Sequence, residues 1–275
     1  MKIKKIGFIG GGNMASSLIN GLIVSGHAAH SLWVSDINAD VVSTLSEKLG
    51  VNSTTSNEEL VNAVDVVVLA VKPQNLADVA KHIAPLIQQK QSLVVSIAAG
   101  ISQNSLSRWL GNDVAIVRCM PNTPALVLTG ATALHANDQV TTEQRDLAEN
   151  ILRAVGLALW VEQESELDAV TAVSGSGPAY FFLLMEAMEN AAVQLGLTEQ
   201  TARLLVQQTA LGAAKIALES SESPAQLRQR VTSPGGTTQR AIETFEQAGF
   251  TELVANALHA ARDRSIEMSK QAETL

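Results

Sequence analysis

Short, nearly continuous hydrophobic runs recur along the first part of the chain and alternate with segments of helical spacing. Such runs are typical of parallel strands buried on both faces. Strands that alternate with helices predict an α/β domain with a mostly parallel sheet. The predicted strands are Ile3–Ile9, Leu32–Asp36, Asp65–Val71, Ser92–Ala98, Val114–Cys119, Thr129–Ala136 and Leu157–Val161, with a helix over Thr142–Ala154 between the last two.

The alternation stops near residue 162, and from Glu164 onward every pattern is helical. We therefore predict two domains, an α/β domain over 1–162 and an all-helical domain over 163–275. Small residues occupy helix faces in the second part, which lets helices approach closely. Because such helices bury little in one small domain, we expect a homodimer through this part. The predicted helices are Gly175–Leu195, Glu199–Ser220, Ala225–Val231, Thr238–Ala248 and Glu252–Ala272, and the small residues are Ala187, Ala191, Ala192, Ala210, Gly212, Ala213 and Ala214.

A glycine-rich segment, Gly10-Gly-Gly-Asn-Met-Ala15, joins the first predicted strand to a helical pattern. The first glycine suits a tight turn, Gly12 lets a pyrophosphate approach the backbone, and Ala15 permits close helix–strand packing. The context predicts a Rossmann-like dinucleotide site, although a merely tight strand–helix turn is the alternative. The expected cofactor contacts here are Ile9, Gly10, Gly11, Gly12, Asn13 and Met14.

Asp36 ends the second predicted strand, where an acidic residue accepts hydrogen bonds from the adenosine ribose. That position favours NADH, and the first basic residue after it is Lys48. Ser35 and Asn38 could nevertheless bind a 2′-phosphate, so the sequence leaves NADPH or NADH open. Asp36 as an ordinary helix cap is the alternative reading of the same residue.

The predicted strand Asp65–Val71 leads into Lys72 and Pro73. Carboxyl ends of parallel strands face the ligand crevice, so we expect Val71 and Lys72 to lie along the cofactor. A solvated loop lysine is the alternative for Lys72. Ala98 ends another strand, and the small residues there would leave room for a nicotinamide ring.

The segment Val231-Thr-Ser-Pro-Gly-Gly-Thr-Thr238 lies between two helical runs. Pro234 has no N–H, whereas Gly235 and Gly236 can adopt positive φ and expose their amides. Thr237 and Thr238 add hydroxyls near a helix start, where free N–H groups favour a carboxylate or phosphate. An anion site and a helix–helix turn with a threonine cap both fit this pattern.

Composition narrows the class of protein. Of 275 residues, 46% are hydrophobic and 17% are charged, which fits a globular chain with a large interface. The net charge of −8 argues against nucleic acid or an anionic membrane as a partner. The single cysteine, Cys119, is compatible with a reducing cytoplasm, and the histidines lack metal-ligand spacing. We therefore expect a cytoplasmic protein with no metal and no membrane span.

Five sequence blocks, read together, resemble the pyrroline-5-carboxylate reductase family, whose members catalyse the last step of proline synthesis. The resemblance extends from residue 7 to 238, and the helical tail fits as well. It implies reduction of 1-pyrroline-5-carboxylate by NADPH or NADH, with hydride delivered to the imine C5. The blocks are Gly7-Phe-Ile-Gly-Gly-Gly-Asn-Met14, Ala70-Val-Lys-Pro73, Met120-Pro-Asn-Thr-Pro124, Ser174-Gly-Ser-Gly-Pro-Ala-Tyr180 and the Val231–Thr238 segment.

The resemblance also implies roles for individual residues. It places Thr238 beside the ring nitrogen of the imine, as the catalytic residue, and Glu164 near the substrate at a dimer interface. It places Asn57 near the adenosine end of the cofactor. It further implies dimerisation through the helical domain and, in many members, pentamers of dimers. The substrate contacts that it assigns to the loop are Ser233, Gly235, Gly236, Thr237 and Thr238.

Two other functions fit parts of the pattern. β-Hydroxyacid dehydrogenases share the two-domain plan but place a catalytic lysine on the first helix of the second domain, and here no lysine follows Gly175 before Lys215. A non-catalytic dinucleotide sensor is the second alternative. Ser174–Pro178 is an alternative anion-binding helix start, although close helix packing is the better interpretation.

Overall fold

The computed structural model describes residues 4–273 and divides the chain into two compact units. One unit runs up to Ser176 and resumes at Ala260, and the other is Gly177–His259. The predicted boundary near residue 162 lies just after the last strand. The contacts group the residues between 162 and 176 with the sheet. A domain boundary near residue 162 therefore stays a prediction.

The first unit is built on an eight-stranded sheet in the order β3-β2-β1-β4-β5-β6-β7-β8. Every neighbouring pair is parallel except β6 and β7, which confirms the mostly parallel sheet. The polar edge strand β3 was not predicted. The strands are β1 Ile6–Ile9, β2 Leu32–Ser35, β3 Asn52–Thr54, β4 Val66–Leu69, β5 Leu93–Ser96, β6 Ile116–Met120, β7 Gly130–Ala136 and β8 Gly156–Trp160.

Helices connect these strands and cover the sheet. Each of β1, β4 and β5 is buried along its whole length, as continuous apolar runs require. Two hydrophobic clusters divide the core, because successive strand residues point to opposite faces of the sheet. The helices of this unit are α1 Asn13–Val24, α2 Ala39–Leu49, α3 Asn57–Ala63, α4 Pro73–Lys90, α5 Gln103–Leu110, α6 Thr142–Arg153 and α7 Glu166–Val170, the last continuing into a π-helical turn over Thr171–Gly175.

The second unit is entirely helical within the part of it that the structure describes, as predicted. Its helices bury few side chains: α9 buries Ala202 and Val206, whereas α10 and α11 bury none. Helix α8 exposes about two thirds of the surface of Phe181, Phe182 and Leu183 (64%, 64% and 67%). The helices are α8 Gly177–Gln194, α9 Glu199–Glu219, α10 Pro224–Arg230, α11 Thr237–Gln247 and α12 Phe250–Ala272, which runs on into the first unit.

The structure also bears on two expectations drawn from composition, the lack of a membrane span and the role of Cys119. Among residues 4–273, no helix is both long and apolar enough to span a bilayer. Cys119 lies on β6 and is 1% exposed. Burial raises the pKa of its thiol far above the usual range, which describes a core residue rather than a nucleophile.

Candidate functional site

The carboxyl ends of four neighbouring strands meet at one edge of the sheet. Ile9, the last residue of β1, pairs with Ser35 on β2 and with Leu69 on β4, and Leu69 pairs with Ser96 on β5. The chain order reverses between β1 and β4, where open α/β sheets bind their ligands. The four loops that the sequence assigned to the cofactor therefore come together at this edge.

The glycine-rich turn has the geometry that a pyrophosphate site needs. Gly10 has φ of 102°, and a Cβ there would lie 2.7 Å from the Ala70 carbonyl oxygen, so only glycine fits. Gly12 has an ordinary φ of −70° and precedes α1, and a Cβ added there would meet nothing within 4 Å. No side chain caps α1 within the described residues. Its first amides, from Asn13 onward, are thus free to bind an anion.

Asp36 follows β2 directly and is fixed by two backbone amides. Its Oδ2 accepts the Gly11 N–H at 2.8 Å, and its Oδ1 accepts the Asn38 N–H at 3.0 Å. Asp36 is not the cap of α2, because Asn38 is the N-cap and accepts the Asp40 N–H. The acidic residue that the sequence assigned to the ribose therefore contacts the glycine turn itself.

Ser35 and Asn57 also come together, since the Ser35 hydroxyl donates to Asn57 Oδ1 at 2.8 Å. Ser35 is completely buried. Asn57 begins α3, and the cap of that helix is the preceding Ser56, whose Oγ accepts the Glu59 N–H. The hydrogen bond fixes Asn57 beside the end of β2, next to Asp36.

The other two cofactor loops contribute short segments. Val71 is half-buried and Lys72 is exposed, and Lys72 precedes α4 as its N-cap without a side-chain bond to the helix. Ala98 follows β5 and is 5% exposed. Its side chain is only a methyl group, so it takes up little space at that position. The structure thus brings these residues to the same sheet edge as the glycine turn.

The Val231–Thr238 segment forms the start of α11 in the second unit. The Gly236 N–H bonds the Ser233 carbonyl at 3.0 Å, and Gly235 has φ of 70° within that turn. Gly236 is the N-cap of α11, and no side chain caps the helix within residues 4–273. The threonine-cap interpretation is therefore wrong. Both predicted glycine amides are thus already engaged, because the Gly235 N–H also donates to Gln239 Oε1 at 2.7 Å.

Thr237 and Thr238 occupy the first turn of α11, where N–H groups have no partner within the helix. In the described part of the chain, neither threonine hydroxyl makes a hydrogen bond. Thr237 is exposed and Thr238 is half-buried. A hydroxyl beside free amides at the positive end of a helix suits a ligand that carries both a carboxylate and a polar nitrogen.

Glu164 lies just before α7 and is held by a residue that the sequence analysis did not single out. Its Oε1 accepts from Arg118 Nη1 at 2.6 Å and from the Gln103 N–H at 2.7 Å. The Arg118 side chain is 7% exposed and that of Glu164 is 27% exposed. The sequence did contain a sign of this contact, because an arginine within the otherwise apolar strand β6 needs a charged or polar partner.

This ion pair predicts a stability effect. Glu164→Leu leaves the buried Arg118 guanidinium without its carboxylate, so the free energy of unfolding should fall by about 3 kcal/mol. That is the low end of the usual cost, because the Glu164 side chain keeps some solvent contact. Glu162→Leu, at an exposed neighbouring position, should change stability by less than about 0.5 kcal/mol. Equal urea midpoints for the two variants would contradict a stabilising pair.

Within residues 4–273, no three His, Cys, Asp or Glu side chains are grouped so that they could hold an ion. The groups available are backbone amides, hydroxyls, the carboxylates of Asp36 and Glu164, and Lys72. The amides, the hydroxyls and Lys72 can bind anionic groups, and the carboxylates can accept hydrogen bonds from ligand hydroxyls.

Models of known protein families match both the α/β part and the helical part of the chain. A family model described as "Pyrroline-5-carboxylate reductase dimerisation" matches residues 164–268, and one described as "NADP oxidoreductase coenzyme F420-dependent" matches residues 5–100. Pyrroline-5-carboxylate reductase of Pseudomonas aeruginosa is 52% identical over 271 residues, which cover 98% of this chain and 99% of the relative.

Two solved structures of similar proteins extend the match to the whole fold. A pyrroline-5-carboxylate reductase from Coxiella burnetii gives a TM-score of 0.94 at 47% identity, and the Plasmodium falciparum pyrroline carboxylate reductase with NADP bound gives 0.87 at 31%. Each alignment covers 98% of this chain and 99% of the other. With sequence identity sustained over nearly its full length and the expected motifs in place, the chain belongs to the pyrroline-5-carboxylate reductase family.

Proposed function

We propose that this protein reduces 1-pyrroline-5-carboxylate to L-proline, using NADPH or NADH as the hydride donor. The observation that carries the proposal is the start of α11, where the Thr238 hydroxyl has no hydrogen-bond partner among the described residues and lies beside uncapped amides. A cyclic imine with a carboxylate needs both kinds of group. The family to which the chain belongs supports the same reaction.

The cofactor site that we propose uses the loops at the carboxyl edge of the sheet. The glycine turn and the first amides of α1 would bind the pyrophosphate, and Asp36, Ser35 and Asn57 would define the adenosine side. Val71, Lys72 and Ala98 would line the cofactor farther along the edge. NADPH or NADH supplies a hydride, and the role of these residues is to hold it in place.

The substrate site that we propose is the segment from Ser233 to Thr238, with Glu164 as a further contact. The free amides of Thr237 and Thr238 in the first turn of α11 would bind the carboxylate, and the Thr238 hydroxyl would hydrogen-bond the imine nitrogen. Protonation at that nitrogen makes C5 electrophilic, so catalysis rests mainly on holding the reacting atoms about 3–3.5 Å apart. This explains why the loop needs no strong acid or base.

We propose that the protein is a homodimer through residues 163–275, and a decamer of five such dimers is an extension of this proposal. Support comes from the exposed apolar side chains of α8 and from the dimerisation family model over 164–268. Light scattering at micromolar concentration should give at least twice the mass of the 29.0 kDa chain. A single monomeric species would contradict the dimer.

A spectrophotometric assay tests the reaction. Purified protein should oxidise NADH or NADPH only when 1-pyrroline-5-carboxylate is present, with one L-proline formed for each cofactor consumed. A 3-hydroxy acid with the oxidised cofactor is the control substrate, because β-hydroxyacid dehydrogenases need a lysine that α8 lacks. Cofactor binding without turnover of any cyclic imine would favour a dinucleotide sensor. A cytoplasmic location, supported by the single cysteine, also belongs to this proposal.

A further inference from the structure

We propose that Asp36 makes this protein selective for NADH and against NADPH. The inference rests on the proposed function, in which the glycine turn binds the dinucleotide. NADPH differs from NADH only by a phosphate in place of the adenosine 2′-hydroxyl. The residues that follow β2 therefore decide the preference, and in this chain they leave no group suited to that phosphate.

The Asp36 carboxylate cannot easily turn away from the ribose position. Both of its oxygens accept backbone N–H groups, from Gly11 on the phosphate-binding turn and from Asn38 at the start of α2. The carboxylate is therefore fixed between the turn that binds pyrophosphate and the helix that follows β2. Each oxygen has a second lone pair, so the anion can still accept a hydrogen bond from a ribose hydroxyl.

The two side chains that could have bound a 2′-phosphate are already engaged. The Ser35 hydroxyl is completely buried and donates to Asn57 Oδ1. Asn38 is held as the N-cap of α2 through its bond to the Asp40 N–H. Of these two side chains, only Asn38 keeps a free donor, its Nδ2, and one neutral donor does not offset a fixed carboxylate.

The positive end of α2 is also unavailable to a phosphate. Asn38 caps it, its carbonyl accepts the N–H groups of Val41 and Val42, and Asp40 adds a negative charge to the first turn. Helix starts bind phosphate when their amides are free and no acidic side chain is present. Here the amides of Asp40, Val41 and Val42 are engaged and a carboxylate is present, so α2 is poorly suited to a phosphate.

No lysine or arginine lies between Asp36 and Lys48 to offset the negative charge of the two carboxylates. The first lysine or arginine after Asp36 is Lys48, in the last turn of α2. A helix rises 1.5 Å per residue, which puts the Lys48 backbone about 13 Å beyond the start of the helix. NADPH-binding sites of this type use a nearby arginine or lysine for the 2′-phosphate. Two carboxylates and no base therefore favour the uncharged hydroxyl of NADH.

The test compares kcat/KM for NADH and NADPH at saturating 1-pyrroline-5-carboxylate, in the wild type and in two variants. We expect the wild type to prefer NADH by at least about tenfold, a value set by carboxylate–phosphate repulsion. Asp36→Ser should lower that ratio by at least about tenfold. Glu47→Gln removes the same charge from an exposed position towards the other end of α2, and should change the ratio less than about threefold.

A wild type that prefers NADPH would overturn the proposal, and so would an unchanged ratio in Asp36→Ser. A second measurement needs no variant and no imine reduction. The wild type should bind 5′-AMP at least about tenfold more tightly than adenosine 2′,5′-bisphosphate, which differs from it only by the 2′-phosphate, as measured by calorimetry. Equal affinities would also overturn it. If the nucleotides discriminate as expected but no imine is reduced, the proposed reaction fails while the role of Asp36 stands.

Discussion

Thr238→Ala is expected to lower kcat/KM for 1-pyrroline-5-carboxylate by about 10–10³-fold, or ~1.4–4 kcal/mol of transition-state stabilisation. The hydroxyl would stabilise the imine nitrogen as hydride arrives, so its loss should appear mainly in the chemical step. The melting temperature should hardly move. Gly236, not a threonine, is the N-cap of α11, and alanine is favoured within a helix.

Two companion variants sharpen this test. Thr238→Ser keeps the hydroxyl and should recover much of the rate. Thr244→Ala removes a hydroxyl from the same helix. Among the described residues this hydroxyl bonds only the Arg240 carbonyl, so kcat/KM should stay within about twofold of the wild type. If Thr238→Ala and Thr244→Ala behave alike, Thr238 does not contact the reacting atoms.

Gly12→Val is the second variant with a large expected effect. Its side chain would occupy the space where the pyrophosphate meets the backbone, so the Kd for NADH or NADPH should rise by about 10–100-fold. The fold should survive. Gly12 has φ of −70° and ψ of −177°, which valine adopts readily, and within residues 4–273 the added Cβ would meet no heavy atom within 4 Å apart from its chain neighbours. Stability should therefore fall by no more than about 1 kcal/mol, the cost of a poor cap.

Fluorescence titration with each cofactor measures the change in Kd. Asn20→Val, on the exposed face of the same helix, is the matched control and should bind both cofactors normally. Unchanged affinity in Gly12→Val would show that the glycine turn does not bind the dinucleotide. Circular dichroism spectra of both variants should match that of the wild type, which separates lost binding from lost structure.

Much of the α/β unit follows from local pattern. Continuous apolar runs such as Asp65–Val71 mark strands buried on both faces, and β4 lies within that run. The edge strand β3 was missed because its residues, Asn52–Thr54, are polar and only partly buried. The π-helical turn Thr171–Gly175 was missed because helical spacing does not reveal which carbonyl each amide bonds.

The candidate site could be predicted by residue type but not by contact. The glycine motif and the end of β2 single out Gly10, Gly12 and Asp36 as candidates from the sequence. The bond between Asp36 and Gly11 joins residues 25 positions apart, and the pair of Arg118 and Glu164 spans 46 positions. Local periodicity carries no information on such contacts. They depend on the strand order, which brings distant loops to one edge of the sheet.

The path of the transferred hydrogen tests the central claim most directly. The protein should be incubated with 1-pyrroline-5-carboxylate and NADH or NADPH carrying deuterium at the transferable position of the nicotinamide. We predict L-proline with one deuterium at C5, found by mass spectrometry and proton NMR, in an amount equal to the cofactor oxidised. Proline without deuterium, or cofactor oxidation without proline, would contradict direct hydride transfer to the imine by this protein.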